Sequence, residues 1–258
     1  MSMTFPREAG PPAPYEPRTY RSLARGDRLV GFEVAVRETD LMIRASRDLR
    51  ALARELVLAE RAGLEAYIRL HPDFAGSLVP WVAAGPAPRL VQEMIAAGAA
   101  AGVGPMAAVA GAIAEAVGRG LLAHCDEVIV ENGGDIFLKT REAATVALYA
   151  GTSPLSLKIG VTIGGGGCAR AVCTSSGTVG HSLSFGTADA VCVVAPTGAL
   201  ADAAATAVGN QVRSTRDLRR AIAGGRRIPG VEGLVIVAGE RVAFWGAVQV
   251  VPIASKKG

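Results

Sequence analysis

The sequence predicts a mixed α/β fold of the α+β kind: a mostly antiparallel sheet with helices packed on it. Three observations lead there. Short apolar runs come in adjacent pairs around polar or glycine turns, at 29–45, 126–139 and 231–250, which is how hairpins read. Between the pairs, apolar residues recur at helical spacing, as in Leu49, Leu52, Leu56 and Val57, and a long Ala- and Gly-rich uncharged run follows at 94–114. Half of the 258 residues are hydrophobic and 19% charged, enough to bury a large core.

In chain order, residues 1–18 carry five prolines and no apolar core stretch. They read as a disordered tail without a signal peptide, ahead of a single domain over 19–258. A first hairpin spans 29–45, turning at Glu38-Thr39-Asp40. Ser46 is placed to cap the following helix, with Asp48 in its first turn. That helix ends at His71-Pro72, where the lone histidine reads as structural. Residues 94–114 hold no charge, a length that invites a membrane span. Their Ala and Gly content and the Gly104-Pro105 break argue instead for two helices, 89–101 and 105–122. The glycines there lack dinucleotide-fold spacing.

Strands follow at 128–130, 136–138, 145–150 and 155–163, with four consecutive glycines at 164–167. Residues 188–195 have the length and branching of a buried strand. An alanine-rich helix covers 201–207. Six arginines between Arg213 and Arg227 crowd a short helix and turn, read as a solvated face. A last hairpin, 231–237 with 241–250, turns at Gly239-Glu240.

A net charge of +4 does not argue for nucleic acid. Cys125, Cys168, Cys173 and Cys192 show no paired spacing and read as buried, reduced thiols of a cytoplasmic protein. No membrane span is expected, and a homo-oligomer is compatible with the sequence.

The chemistry concentrates in 172–210. Cys173-Thr174-Ser175-Ser176-Gly177 gathers hydroxyls on a glycine turn, and His181 follows one loop later. An imidazole there is a candidate general base, the alternative being a histidine tied to a backbone carbonyl. Asp202 and Thr206 lie one turn apart on one helix face, where a carboxylate and a hydroxyl can serve a hard cation such as Mg²⁺. The structural alternatives are dipole complementation by Asp and a back-bond from Thr. Asn132-Gly133-Gly134-Asp135 is either a plain hairpin turn or bare backbone placed against a ligand.

Four segments in this order resemble the ApbE-type FAD:protein FMN transferase family. Gly111-Ala112-Ile113-Ala114-Glu115 is similar to its Lys-Gly-x-x-x-Asp helix. Asn132-Gly133-Gly134-Asp135 is similar to its Asn-x-Gly-Gly-Asp strand end, without the spacer. Thr174-Ser175-Ser176-Gly177 resembles its Thr-Ser-Gly loop with one insertion, and 201–207 resembles its Asp-x-x-x-Thr helix. The likeness covers about 104–210 and suggests a compact branch of that superfamily.

The resemblance implies a T-fold-like architecture, FAD and Mg²⁺ as ligands, and FMN transfer to a hydroxyl. It implies metal binding by Asp202 and Thr206, and nucleotide contacts from Gly111, Asn132, Gly133, Gly134, Asp135, Thr174, Ser175, Ser176 and Gly177. His181 takes the family histidine's place as the catalytic residue. Two departures touch transfer rather than binding. Ala110 stands where the family has Lys, and the acceptor loop is cut to 180–186. The expected partner is a small-molecule nucleotide. The alternatives are a flavin- or nucleotide-binding module without chemistry, or a T-fold-like enzyme acting on a pterin or purine.

Overall fold

The computed structural model describes residues 28–176 and 186–253. The strands are β1 (Val30–Val36), β2 (Thr39–Ala45), β3 (Val128–Asn132), β4 (Asp135–Lys139), β5 (Ala144–Ala147), β6 (Ile159–Ile163), β7 (Arg170–Ser175), β8 (Ala190–Ala195), β9 (Gly233–Ala238), β10 (Arg241–Gly246) and β11 (Gln249–Pro252). The helices are α1 (Arg50–Leu70), α2 (Asp73–Gly76), α3 (Arg89–Ala101), α4 (Val109–Leu122), α5 (Gly198–Gly209) and α6 (Leu218–Gly225).

Eight strands form one sheet in the order β1-β2-β3-β4-β7-β8-β9-β10, with every neighbouring pair antiparallel. A second antiparallel sheet, β11-β6-β5, lies apart from it. Period-two alternation sends successive side chains to opposite faces. Phe32, Ile43, Val130, Phe137, Ala171, Cys173 and Val193 join the helices in the larger core. Leu138, Val172, Cys192, Val194 and Val235 meet Leu148, Val161 and Ile163 in a second core on the other face. The result is three layers: helices, large sheet, small sheet.

The expected mixed, mostly antiparallel fold is present, and the helix spans match the spacing of their apolar residues. α4 and the 3₁₀ turn Pro105–Ala108 before it together have the length and apolarity of a membrane span. They form instead the central helix of the core, packed against α5, α1, β3 and β4. α5 is more enclosed still: every residue except Leu200 and Asp202 is buried. Its alanines make this possible, since a helix with small side chains fits tightly between a sheet and other helices. The Arg213–Arg227 cluster lies on an exposed face as expected; Arg220 pairs with Asp217 at 3.0 Å and Arg226 stands over the Trp245 ring.

Several local details differ from expectation. The first hairpin turns at Arg37-Glu38, with Arg37 at φ 53°. Ser46 does not cap α1, because the helix starts four residues later. The Asp48 carboxylate instead accepts from the Arg50 N–H at 2.9 Å. The strand expected at 145–150 stops at Ala147, and the one expected from 155 starts at Ile159. The long last strand is broken. Gly246, at φ 90°, sits where a Cβ would meet the Glu232 carbonyl, and the chain leaves β10 to join the small sheet as β11. Cys168 is exposed and Cys125 partly so, whereas Cys173 and Cys192 are buried. His71 packs on Tyr67, ring centroids 4.4 Å apart.

Candidate functional site

Two helices meet at glycines. A methyl group on Gly111 of α4 would enter the Gly198 carbonyl, and one on Gly198 of α5 would enter the Gly111 carbonyl. The two backbones are therefore in contact. Each helix carries an acid four residues after its glycine, on the same face. The Glu115 carboxylate accepts from the Gly198 N–H at 2.6 Å, and the Asp202 carboxylate accepts from the Gly111 N–H at 3.0 Å. Both N–H groups lie in the first turn of their helices, where no intrahelical acceptor exists. Each acid thus caps the other helix. The sequences show the same relation: Gly111-Ala112-Ile113-Ala114-Glu115 and Gly198-Ala199-Leu200-Ala201-Asp202.

The two halves differ in one respect. Glu115 is 2% exposed, and Arg119, one turn on, donates to it at 2.7 Å. The position one turn after Asp202 is Thr206, a buried hydroxyl residue. No Lys or Arg pairs with Asp202 among the described residues. Among the described residues Asp202 is left as a partly open carboxylate without a cation.

A second carboxylate faces it. Asp135 begins β4 on the helix side of the sheet, opposite Cys173 across the ladder. It is 8% exposed. Burial pushes its pKa well above the usual carboxylate range, and the charges of Asp202 and Glu131 add to that. The Cys173 thiol and the Thr174 N–H act the other way. Burial likewise raises Asp202, to about 7, against the opposing pull of the Gly111 and Ala110 N–H groups. Like charges enclosed together cannot both ionise cheaply. Burial, then the two carboxylates, push the Cys173 thiol well up. It remains protonated and lies 3.6 Å from the Gly198 carbonyl.

The other expected residues fall around this seam. Asn132 ends β3 and donates to the Ala110 carbonyl at 3.0 Å, tying the sheet to the start of α4. Gly133 and Gly134, at φ 68° and 112°, make the two-residue turn that requires positive φ at both positions. Ser175 follows Cys173 on the same strand face, with its hydroxyl buried and unpartnered among the described residues. The Thr174 side chain points to the opposite face, beside Cys192. Ser176 is the last residue of the described stretch 28–176, and Gly177 and His181 lie outside the described residues. Glu115, Arg119, Cys173 and Gly198 were not read from the sequence as site residues. The repeated Gly-Ala-x-Ala-acid pattern was the signal that could have found two of them, Glu115 and Gly198.

No three His, Cys, Asp or Glu side chains converge as a ready-made metal site among the described residues. A cation at Asp202 would need further oxygens from hydroxyls, backbone or substrate. That suits Mg²⁺, which keeps few protein ligands and takes phosphate oxygens. The unpartnered Ser175 hydroxyl and the uncompensated carboxylates fit such a group. Two surface cavities, about 460 and 620 Å³, lie elsewhere, near Cys125 and on the outer side of the first hairpin. Neither contains these residues.

The three-layered antiparallel α+β fold is similar to that of solved ApbE structures. The apo flavinyl transferase ApbE of Pseudomonas stutzeri superposes with a TM-score of 0.57 at 14% identity, covering 84% of this chain and 94% of that one. The ApbE protein of Thermotoga maritima gives 0.53 at 12%, covering 83% and 96%. At such identities the likeness is one of fold. The chain belongs to the family described as AbpE bacteria, whose model matches residues 21–226. It is 40% identical over 222 residues to a UPF0280 protein of Methanococcus aeolicus, covering 84% of this chain and 90% of the relative. A UPF0280 protein of Methanosphaerula palustris is 43% identical over 200 residues, covering 76% and 82%.

Proposed function

We propose that this protein binds FAD with Mg²⁺ and either transfers its FMN moiety to a hydroxyl acceptor or cleaves it at the pyrophosphate. The observation that carries the reading is the unequal pair of helix-capping acids. Glu115 has Arg119 as its cation; Asp202 has Thr206 and an open side. A buried or half-buried carboxylate without a counter-charge is costly, and its retention beside Asp135 is explained by a cation that arrives with the ligand.

Asp202 and Thr206 would hold Mg²⁺, which would supply charge neutralisation at the pyrophosphate and its leaving group. Gly133 and Gly134, lacking side chains, leave room for the nucleotide, while Asn132 fixes that turn against α4. Ser175 offers an uncommitted hydroxyl to a phosphate or ribose oxygen. Asp135, kept protonated, would donate a hydrogen bond rather than repel an anion. His181 would accept the proton of the attacking hydroxyl or water. The bond broken joins the two phosphates, giving AMP and an FMN phosphoryl group on the acceptor.

One observation favours binding without transfer. Ala110 occupies the place of the family's helix lysine, so α4 brings no cation to the phosphates at that position. Calorimetric titration with FAD, with and without Mg²⁺, tests the binding. Chromatography with mass detection of FMN and AMP tests the chemistry. Mg²⁺-dependent binding with release of AMP supports the enzyme, and binding with intact FAD supports the module. No binding of FAD under either condition refutes both.

A further inference from the structure

The segment between α1 and α3 is unlike the rest of the surface. From Ser77 to Pro88 it reads Ser-Leu-Val-Pro-Trp-Val-Ala-Ala-Gly-Pro-Ala-Pro, twelve residues without a charge, in a chain that is 19% charged. Leu70, Leu78, Val79 and Val82 are 77%, 54%, 66% and 87% exposed. They account for four of the seven large hydrophobic residues that stand exposed among the described residues. Alanines 83 and 84 and prolines 80 and 86 are exposed beside them.

This is a built surface rather than slack chain. The Ser77 hydroxyl donates to the Val79 carbonyl at 2.8 Å, and the Trp81 indole N–H donates to the Tyr67 hydroxyl at 3.3 Å. The rings of Tyr67, Phe74 and Trp81 pack edge to face, centroids 5.0 and 5.6 Å apart. The backbone at Ser77 rests on Gly104, where any side chain would strike its carbonyl. The anchors point inward and the apolar side chains point out.

We infer that this lip is the contact surface of a homodimer, in which the same patch on two copies packs across a two-fold axis. An isologous interface sets each residue against its own neighbourhood, so a charged patch would meet like charge. An uncharged lip carries no such penalty. The arginine-rich face of α6 could not pair with itself in this way. At these exposures the four side chains present on the order of 400 Å² of apolar surface, as large as the main patch of a typical monomer. That is about half of one side of a standard interface, and the flanking Ala and Pro residues extend it. A bilayer is the less suitable occupant, because interfacial segments are rich in Lys and Arg on their polar side. Here the flanks hold two arginines, Arg69 and Arg89, offset by Asp73 and by Glu93, which pairs with Arg89 at 2.9 Å.

Light scattering coupled to gel filtration, run from about 1 to 100 µM, tests this. The wild-type chain is expected at twice its own mass in the upper part of that range. Val79→Asp/Val82→Asp should weaken association at least tenfold, with unchanged circular dichroism, since both side chains lie outside the core. Leu70→Asp, on α1 rather than the loop, should weaken it as well. Wild type at single-chain mass throughout overturns the inference. So do aspartate variants that dimerise like wild type, or wild type that floats with phosphatidylcholine or phosphatidylglycerol vesicles as a monomer. Loss of FAD binding would leave this result untouched.

Discussion

Asp202→Asn isolates the cost of the uncompensated carboxylate. The amide keeps an acceptor for the Gly111 N–H and changes little in volume, so only the charge is removed. In the folded protein Asp202 is raised from its ordinary 3.8 to about 7. A folded state with the higher pKa binds more protons than the unfolded chain between those values. Stability therefore falls as pH rises from about 4 to about 7, and is level above that. Three pKa units correspond to about 4 kcal/mol. Water at the open edge of Asp202 screens the charge and brings the figure to about 2 kcal/mol. The variant should exceed wild type by that amount at pH 8, or about 4–8 °C in melting temperature for a domain of this size, and match it at pH 4. Mg²⁺ with FAD should raise the wild-type melting point at pH 8 and leave the variant unmoved. Thermal melts at pH 4, 6 and 8, with and without ligand, measure all of this. A variant less stable than wild type at pH 8, or a stability difference that does not change with pH, would refute the reasoning.

Gly111→Ala places a methyl in the Gly198 carbonyl and should cost more than about 3 kcal/mol by overpacking, read as a lower urea midpoint or loss of soluble protein. Arg119→Ala leaves Glu115 buried without its cation and should cost about 2–3 kcal/mol at pH 8; adding Glu115→Gln should recover much of it. Thr206→Val keeps the shape of the side chain and should weaken Mg²⁺-dependent FAD binding about tenfold, a loss of one ligand oxygen, with the ligand-free melting point within a few degrees. Gly134→Val must place a branched residue at φ 112°, so either the melting temperature or FAD affinity should fall; retention of both would remove the turn from the site. His181→Ala should lower any FAD cleavage by on the order of 100-fold with little change in FAD affinity, as measured by AMP release.

Much of the fold was legible in the chain. Hairpins announce themselves through alternation and local turn chemistry, α1 through 3.6-residue periodicity, and α3 and α4 through small residues on either side of the Gly104-Pro105 break. All of these are properties of neighbouring residues. The buried β8 and the alanine-rich α5 were likewise visible as composition. Asp202 and Asn132-Gly133-Gly134-Asp135 could be singled out because their residue types and spacing carry chemistry. What the chain did not disclose depended on contacts between distant residues. Gly246 ends β10 because it lies against Glu232, not because of the residues beside it. Ser46 reads as a cap until the helix is seen to start at Arg50. Thr174 and Ser175 are adjacent hydroxyls in sequence, but the pleat sends one to the small sheet and the other toward Asp135. The repeat Gly-Ala-x-Ala-acid was present in the sequence from the start. Its meaning, each acid capping the other helix and only one supplied with a cation, exists only once Gly111 and Gly198 touch. Sequence determines what each segment can form locally, because propensity and periodicity act over a few residues. Packing decides which charges are enclosed together, because desolvation depends on everything that surrounds a group.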